Sequence, residues 1–483
     1  MNNLYLTVII RSIVPVIILL LPLLLMSILK WSALQAGAFF LFFTILSANT
    51  LYSMSLEDIL YSFYKGTYLG LNIAYIIASA LVFFTIYEAL GYLNELRAFL
   101  NSRKQRSYEL AFLLSVFMGG FLESIAGFGI PVAVISPILV SLGFKWTEAI
   151  KLSLVGHSWA VSYAAFGIPT NALSSVTYTD FHKLCAYTAI FLALGLTLII
   201  IYEIRALGTE KISTSLCFYA LLSPALLLVL TSITGAYGSL LVSLIMLSSS
   251  LPLILGMGAT KFMLKLLSPY YVLSFILLLA MLFRKAFHDS MFLDIVFNTG
   301  TITLFFTLII VMKRRKELYI SNDKLKTLIR NIAELAIAFV TLMNASTLAT
   351  HSGMMQDIAN SLLSLLGKEY TLMVPFIGLL GTYMTGSNTA SNVLFGPLQM
   401  EYSQVANLSA YLLLANHNAG GALGSIISPA KILAGTYSID KKGKEGEVLR
   451  MCLKVALLLA LAIDMEFSIL LSTARFPLER FKI

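Results

Sequence analysis

Glu123 stands between Phe121-Leu122 and Ser124-Ile125, inside a long apolar run. A carboxylate in such a run is costly, and its default explanation is function, as part of a substrate or proton pathway. The other explanation is a structural pairing to a serine or a backbone N–H. His157 and His417 also sit in apolar surroundings, and imidazole titrates near neutrality and can relay protons. A buried histidine that only packs is the competing reading for each. Farther on, TGSNTASN (385–392) has six hydroxyl or amide side chains in eight residues, again within an apolar stretch. Hydroxyls and amides at that density suit hydrogen bonding to a small polar solute, and they also suit helix-to-helix bonding in a membrane. Lys431, just after Pro429, either attracts an anion or reaches to the membrane interface. Asp464 and Glu466, in the last apolar stretch, either meet a partner or frame a site.

These residues fall into two segments with a shared layout. The first is GGFLESIAGFGIPVAVISP (119–137), an apolar stretch, then GHSWAVSYAAFGIP (156–169). The second is GTYMTGSNTASNVLFGP (381–397), an apolar stretch, then NHNAGGALGSIISP (416–429). His157 to Pro169 is 12 positions, and so is His417 to Pro429; Gly120 to His157 is 37, against 36 from Gly381 to His417. Glycine, proline and polar residues within a span predict broken or re-entrant helices, which survive only where they line a protein cavity. The first segment is entered from a strongly basic loop. The second follows one span after another basic loop, through a weakly charged connection. That predicts entry from opposite sides, an inverted repeat of the kind found in secondary transporters.

The elements that must position these residues are membrane helices. The chain has 483 residues, of which 58% are hydrophobic and only 12% charged. A soluble domain carries about 25% charged residues, so this chain cannot cover a water-facing surface. Its apolar stretches are long and lack the alternation of barrel strands. The fold class is therefore an all-α polytopic membrane protein with roughly 12–14 transmembrane segments and two inverted repeats. Apolar spans are expected near 4–29, 32–51, 67–90, 184–203, 216–234, 236–257, 270–287, 292–312, 331–349 and 451–473. SLEDILYSFYKG is expected at the interface, and a short amphipathic piece near 354–366. The segments divide as 1–93 (N-terminal spans), 94–175 (first repeat), 176–330 (central spans and a basic loop), 331–440 (second repeat) and 441–483 (basic loop, last span and tail).

The formal net charge is +9. Its basic residues gather in the connections 94–109, 313–330 and 441–450, the pattern that marks cytoplasmic loops, while 366–370 is expected outside. Nucleic-acid binding is excluded by that placement. Cys185, Cys217 and Cys452 are scattered and show no disulfide or metal spacing, and no cofactor is implied. The five histidines (157, 182, 288, 351 and 417) form no close pair, and no HExxH motif or Ser/Lys dyad points to a membrane enzyme.

GGFLESIAGFGIPVA, AFGIPT, TGSNTASNVLFG and GGALGSIISP closely resemble signatures of the L-lactate permease family. The resemblance is specific over about 110–170 and 331–440. It implies a multi-pass cell-membrane symporter whose partners are a small monocarboxylate, such as lactate or glycolate, protons and the lipid bilayer. Oligomeric state is left open. On that reading Glu123, Gly127 and Gly129 match one family motif, and Thr385, Gly386, Ser387, Ser391 and Asn392 match another. The chain departs from the pattern at Asn388, where Asp is expected, at His157 and His417, where Asn is expected, and at Ser425, where Lys is expected. The substrate-binding candidates are Ser124, Gly127, Gly129, Ser158, Thr385, Gly386, Ser387, Asn388, Ser391, Asn392, Asn418, Gly420 and Gly421. Glu123, His157 and His417 are the candidates for proton coupling. The alternatives are another organic anion with sodium or other coupling, and a polytopic membrane enzyme.

Overall fold

The computed structural model describes residues 10–11, 13–21, 25, 31, 33–101, 108–127, 129–208, 212–286 and 296–473. The expected first span (4–29) falls largely outside them, as do Arg103, Lys104, Arg106, His288 and the tail. The described residues are helical, with no strand among them, and eight stretches are long and apolar enough to cross a membrane. The chain is an all-α, multi-pass membrane protein.

Helix boundaries follow local chemistry. Ser55, Asp180 and Ser321 each accept a backbone N–H three residues on and cap the helices Leu56–Ala89, Phe181–Leu207 and Asn322–His351. SLEDILYSFYKG, expected at the interface, is continuous with the span that follows it. It forms the first turns of Leu56–Ala89, whose 34 residues span about 51 Å at 1.5 Å per residue, well over the roughly 30 Å of a bilayer core. Leu60, Tyr61, Tyr64 and Tyr68 near its start are exposed. The basic stretch 313–330 is likewise mostly helical: its first two residues end Thr299–Arg314, and its last nine begin Asn322–His351.

The two motif-bearing segments fold alike. In the first, Tyr108–Ile125, which includes a π-helical turn at Leu114–Met118, ends at Ile125, and the chain turns back as Ile130–Ser141. Its ends meet: the Tyr108 and Phe144 rings lie 5.6 Å apart, so this is a re-entrant hairpin. Trp146–Gly156 then leads into a break at 157–167 and a second half-helix that ends at Thr177. In the second segment, Val374–Thr385 and Asn388–Val405 form another hairpin, closed by the Tyr370 and Tyr402 rings at 4.3 Å. Ala410–Gly424, a break at 425–428, and Pro429–Ser438 complete it. Packing between the segments is reciprocal. Ile130–Ser141 lies against Pro429–Ser438, and Asn388–Val405 lies against the half-helix that follows the break at 157–167.

Polar contacts sort the connections into two ends. At one end, Lys324 pairs with Glu88 (3.0 Å), Arg314 donates to Tyr92 Oη (2.8 Å), and Ser213 N donates to Glu109 (2.9 Å). This end holds the 313–330 stretch and the mouth of the first hairpin at Tyr108 and Phe144. At the other, Tyr52 donates to Asp357 (2.8 Å) and Asp180 N donates to Tyr411 Oη (3.1 Å). The mouth of the second hairpin lies at this second end, where Tyr402 Oη reaches the Gly367 carbonyl.

Candidate functional site

Glycine makes the hairpin tips possible. Gly129 (φ +82°) and Gly386 (φ +75°) adopt left-handed backbone that costs other residues about 1–2 kcal/mol. Pro131 and Pro429 then restart helices at positions where a missing N–H costs nothing. In the break at 157–167, Ala165 (φ +45°) and Phe166 (φ +63°) hold the same left-handed region without being glycine. Strain of this kind persists where the surroundings impose it, commonly at functional sites.

Between the tips and breaks lies a cavity of about 120 Å³, roughly four times the volume of a water in the liquid. Its walls include Glu123 and Gly127 from the first hairpin, and Thr382, Gly386, Ser387, Asn388 and Thr389 from the second. Ala164, Ala165, Ile168 and Pro169 come from the first broken span, and Ser425, Ala430 and Lys431 from the second. The half-helix at Asn388 opens onto the cavity through its N-terminus, whose unpaired N–H groups favour negative charge.

Three ionisable side chains meet at one wall. Lys431 Nζ lies 2.9 Å from Glu123 Oε1 and 2.9 Å from His157 Nε2, and all three residues are buried. His157 Nδ1 bonds the Ser153 carbonyl. A carbonyl only accepts, so Nδ1 carries the proton, and Nε2 is the lone-pair acceptor for the lysine. Glu123 Oε2 stands 3.7 Å from His157 Nε2 and has no hydrogen-bond partner. The wall thus holds one ammonium, one carboxylate and one neutral imidazole, with no net charge.

Three polar residues are also part of the lining. Thr382, Asn388 and Ser425 border the cavity, and their side-chain oxygens are buried without a protein partner. Buried polar atoms are rarely left so. Gly421 lies directly beneath Thr382 Oγ1 and Asn388 Oδ1, where a Cβ would collide with the amide. Asn388 is held by its nitrogen, which donates to Asn418 Oδ1 at 3.0 Å. Asn392 donates to the same oxygen and to the Pro169 carbonyl (both 2.9 Å), and Asn418 donates to Thr170 (2.8 Å). This network ties the second hairpin tip to the first broken span.

Of the sequence candidates, Glu123, Gly127, Gly386, Ser387 and Asn388 line the cavity, and His157 stands behind it on Lys431. Gly129 packs against Lys431 and Ala434. Asn392, Asn418 and Gly421 support the lining. Ser124 bonds Ser239, Ser158 bonds the Val155 carbonyl, Thr385 bonds the Gly381 carbonyl and Ser391 bonds the Gly378 carbonyl, all away from the cavity. Gly420 packs on Pro375. His417 lies beside the Phe395 ring, outside the lining. Asp464 and Glu466 do not line the cavity either. Thr382 was not singled out in sequence, and its only signal was its place one helical turn before Gly386. Lys431 carried a clearer one, a lone cation in the apolar run IISPAKILAG.

Comparison with known proteins converges on one family. A family model described as L-lactate permease matches residues 8–274 and 237–473. The L-lactate permease of Halalkalibacterium halodurans is 26% identical, over 91% of this chain and 92% of that protein. The L-lactate permease of Escherichia coli K12 is 25% identical (84% and 85% covered), and the glycolate permease GlcA of the same strain is 24% identical (90% and 91%). Among solved structures, MtrF of Neisseria gonorrhoeae, described as illuminating a class of antimetabolite efflux pumps, superposes with a TM-score of 0.50. Its identity is 13%, over 86% of this chain and 84% of that one. That likeness is one of fold alone.

Proposed function

The chain belongs to the L-lactate permease family, and from that premise we propose that it carries L-lactate and related 2-hydroxy acids, glycolate among them, across the cell membrane with a proton. The observation that carries this reading is the bond between Lys431 and Glu123 in the wall of a small cavity.

Lys431 is the cation that can receive a substrate carboxylate, and Glu123 already occupies it. A second carboxylate beside Glu123 would leave a net negative charge in a buried space, which costs several kcal/mol. Protonation of Glu123 removes that conflict. Its carboxyl becomes neutral, Lys431 turns to the incoming anion, and the wall is again without net charge. Anion and proton therefore enter together or not at all, in a ratio of one to one. His157 keeps its lone pair on the lysine in both states and steadies the ammonium as its partner changes. The N-terminus of the half-helix at Asn388 adds to the attraction. In this reading the substrate hydroxyl is received by Thr382 and Asn388, and its apolar end faces Val161, Ala164 and Ile168.

The two hairpins enter from opposite ends, and the half-helices pack reciprocally. This supports an inverted repeat and access that alternates by motion of one repeat against the other. The test is uptake into proteoliposomes. Lactate should accumulate with an inward-acid gradient in sodium-free buffer and be indifferent to an imposed membrane potential. Accumulation that follows sodium, or follows potential without a pH gradient, would overturn the coupling.

A further inference from the structure

Four buried side chains, Thr170, Asn388, Asn392 and Asn418, form one hydrogen-bonded chain beside the cavity, and its bonds run in one direction only. Thr170 Oγ1 lies 2.7 Å from the Ser162 carbonyl. A carbonyl only accepts, so the single Thr170 hydroxyl proton goes there and its oxygen is left to accept. The Asn418 side-chain atom 2.8 Å from that oxygen is therefore the nitrogen, and the Asn418 oxygen points the other way. Asn388 and Asn392 meet that oxygen at 3.0 and 2.9 Å, and both must donate to it. Asn392 fixes the direction a second time, because the same atom of its amide lies 2.9 Å from the Pro169 carbonyl.

Asn388 is the member of the chain that lines the cavity; Thr170 and Asn418 do not. The Asn388 nitrogen also lies 3.3 Å from the Asn418 backbone carbonyl. Turning this amide over would set its oxygen against two oxygens of Asn418, in an interior where a mismatched polar group is costly. The nitrogen is thus engaged with the protein. Oδ1, buried and without a partner, is the side-chain atom of Asn388 left for a ligand, and it can only accept.

Resting on the lactate reading above, we propose that Asn418 and Thr170 are positioning residues that hold Asn388 as a fixed acceptor. The site then selects acids whose 2-substituent donates a hydrogen bond over acids whose 2-substituent only accepts. A 2-oxo acid has nearly the size and the same charge as its 2-hydroxy counterpart. Its ketone oxygen would meet the Asn388 oxygen with no proton between them, and two buried acceptors would be left unsatisfied. An amide free to turn would offer its N–H to the ketone and lose the distinction.

The measurement is inhibition of labelled L-lactate uptake into proteoliposomes by unlabelled L-lactate and by pyruvate. The wild type should favour lactate by about tenfold or more. Asn418→Ala removes the acceptor that holds the Asn388 nitrogen, and it should shrink that ratio by about fivefold or more. Thr170→Val should shrink it in the same direction by less, and Thr170→Ser, which keeps the hydroxyl, should recover the wild-type ratio. A merely structural role would weaken both acids together, so an unchanged ratio in Asn418→Ala overturns the proposal. Should that variant fail to assemble, the ratio in Thr170→Val decides in the same way. A wild type that takes up lactate but does not distinguish the two acids also overturns it. A wild type without lactate uptake would instead remove the lactate reading itself, and this proposal with it.

Discussion

In the proposed cycle Lys431 holds one of two anions, the carboxylate of Glu123 or that of the substrate. Removing one partner of a buried, hydrogen-bonded charge pair costs about 2–5 kcal/mol. Lys431→Met should therefore weaken lactate binding by roughly 30-fold or more, measured by direct binding to purified protein. Lactate bound as tightly as by the wild type would remove Lys431 from the site. The hydroxyl contacts make a separate prediction. A site that hydrogen-bonds a substrate hydroxyl rejects analogues that lack it, because its own polar atoms are then left unpaired. Thr382 and Asn388 have such atoms, so lactate should outcompete propionate strongly. Thr382→Val should shrink that preference about tenfold, as read from propionate competition against labelled lactate. An unchanged preference would place the hydroxyl elsewhere. The residues of the triad were legible one at a time and not as a group. Glu123 announced itself by its cost in an apolar run, but Lys431 lies 308 residues away from it, and no local periodicity brings the two together.

The half-helices set the precision of the site. Gly386 ends one arm of the second hairpin in left-handed backbone, and Ser387 caps the other by accepting the Ala390 N–H. Gly386→Ala should lower stability by about 1–2 kcal/mol and, by shifting the tip, reduce transport more than its effect on melting would suggest. Thermal melting and uptake measured on the same preparation check both. Normal transport in that variant would show that the tip tolerates displacement. The breaks themselves were readable in sequence, because glycine, proline and hydroxyl residues interrupt apolar runs at 126–129, 386–387 and 425–428. The break at 157–167 was less so, since Ala165 and Phe166 carry no local signal for their positive φ. The helix start at 322–330 was less legible, because the stretch is polar enough for a loop, yet Ser321 caps it into the long helix Asn322–His351.

At the scale of the whole molecule, the basic 313–330 stretch lies at the same end as Glu88 and Tyr92, and the positive-inside rule predicts that this end faces the cytoplasm. Arg315→Cys should resist membrane-impermeant thiol reagents in whole cells, whereas Lys368→Cys should react. The opposite pattern would invert the orientation. The overall architecture was legible because hydrophobic length and charge placement carry it directly. The reciprocal packing of the half-helices was not, because it depends on contacts between segments more than 200 residues apart. That packing makes one cavity from both motif-bearing segments, and the central claim is that this cavity admits an anion only with a proton. The most direct test is proton uptake on lactate binding to purified protein in weakly buffered solution, with a pH indicator. The account predicts about one proton taken up per lactate bound by the wild type, and none by Glu123→Gln, which should still bind lactate. Lactate binding by the wild type without proton uptake, or undiminished uptake by Glu123→Gln, would contradict it.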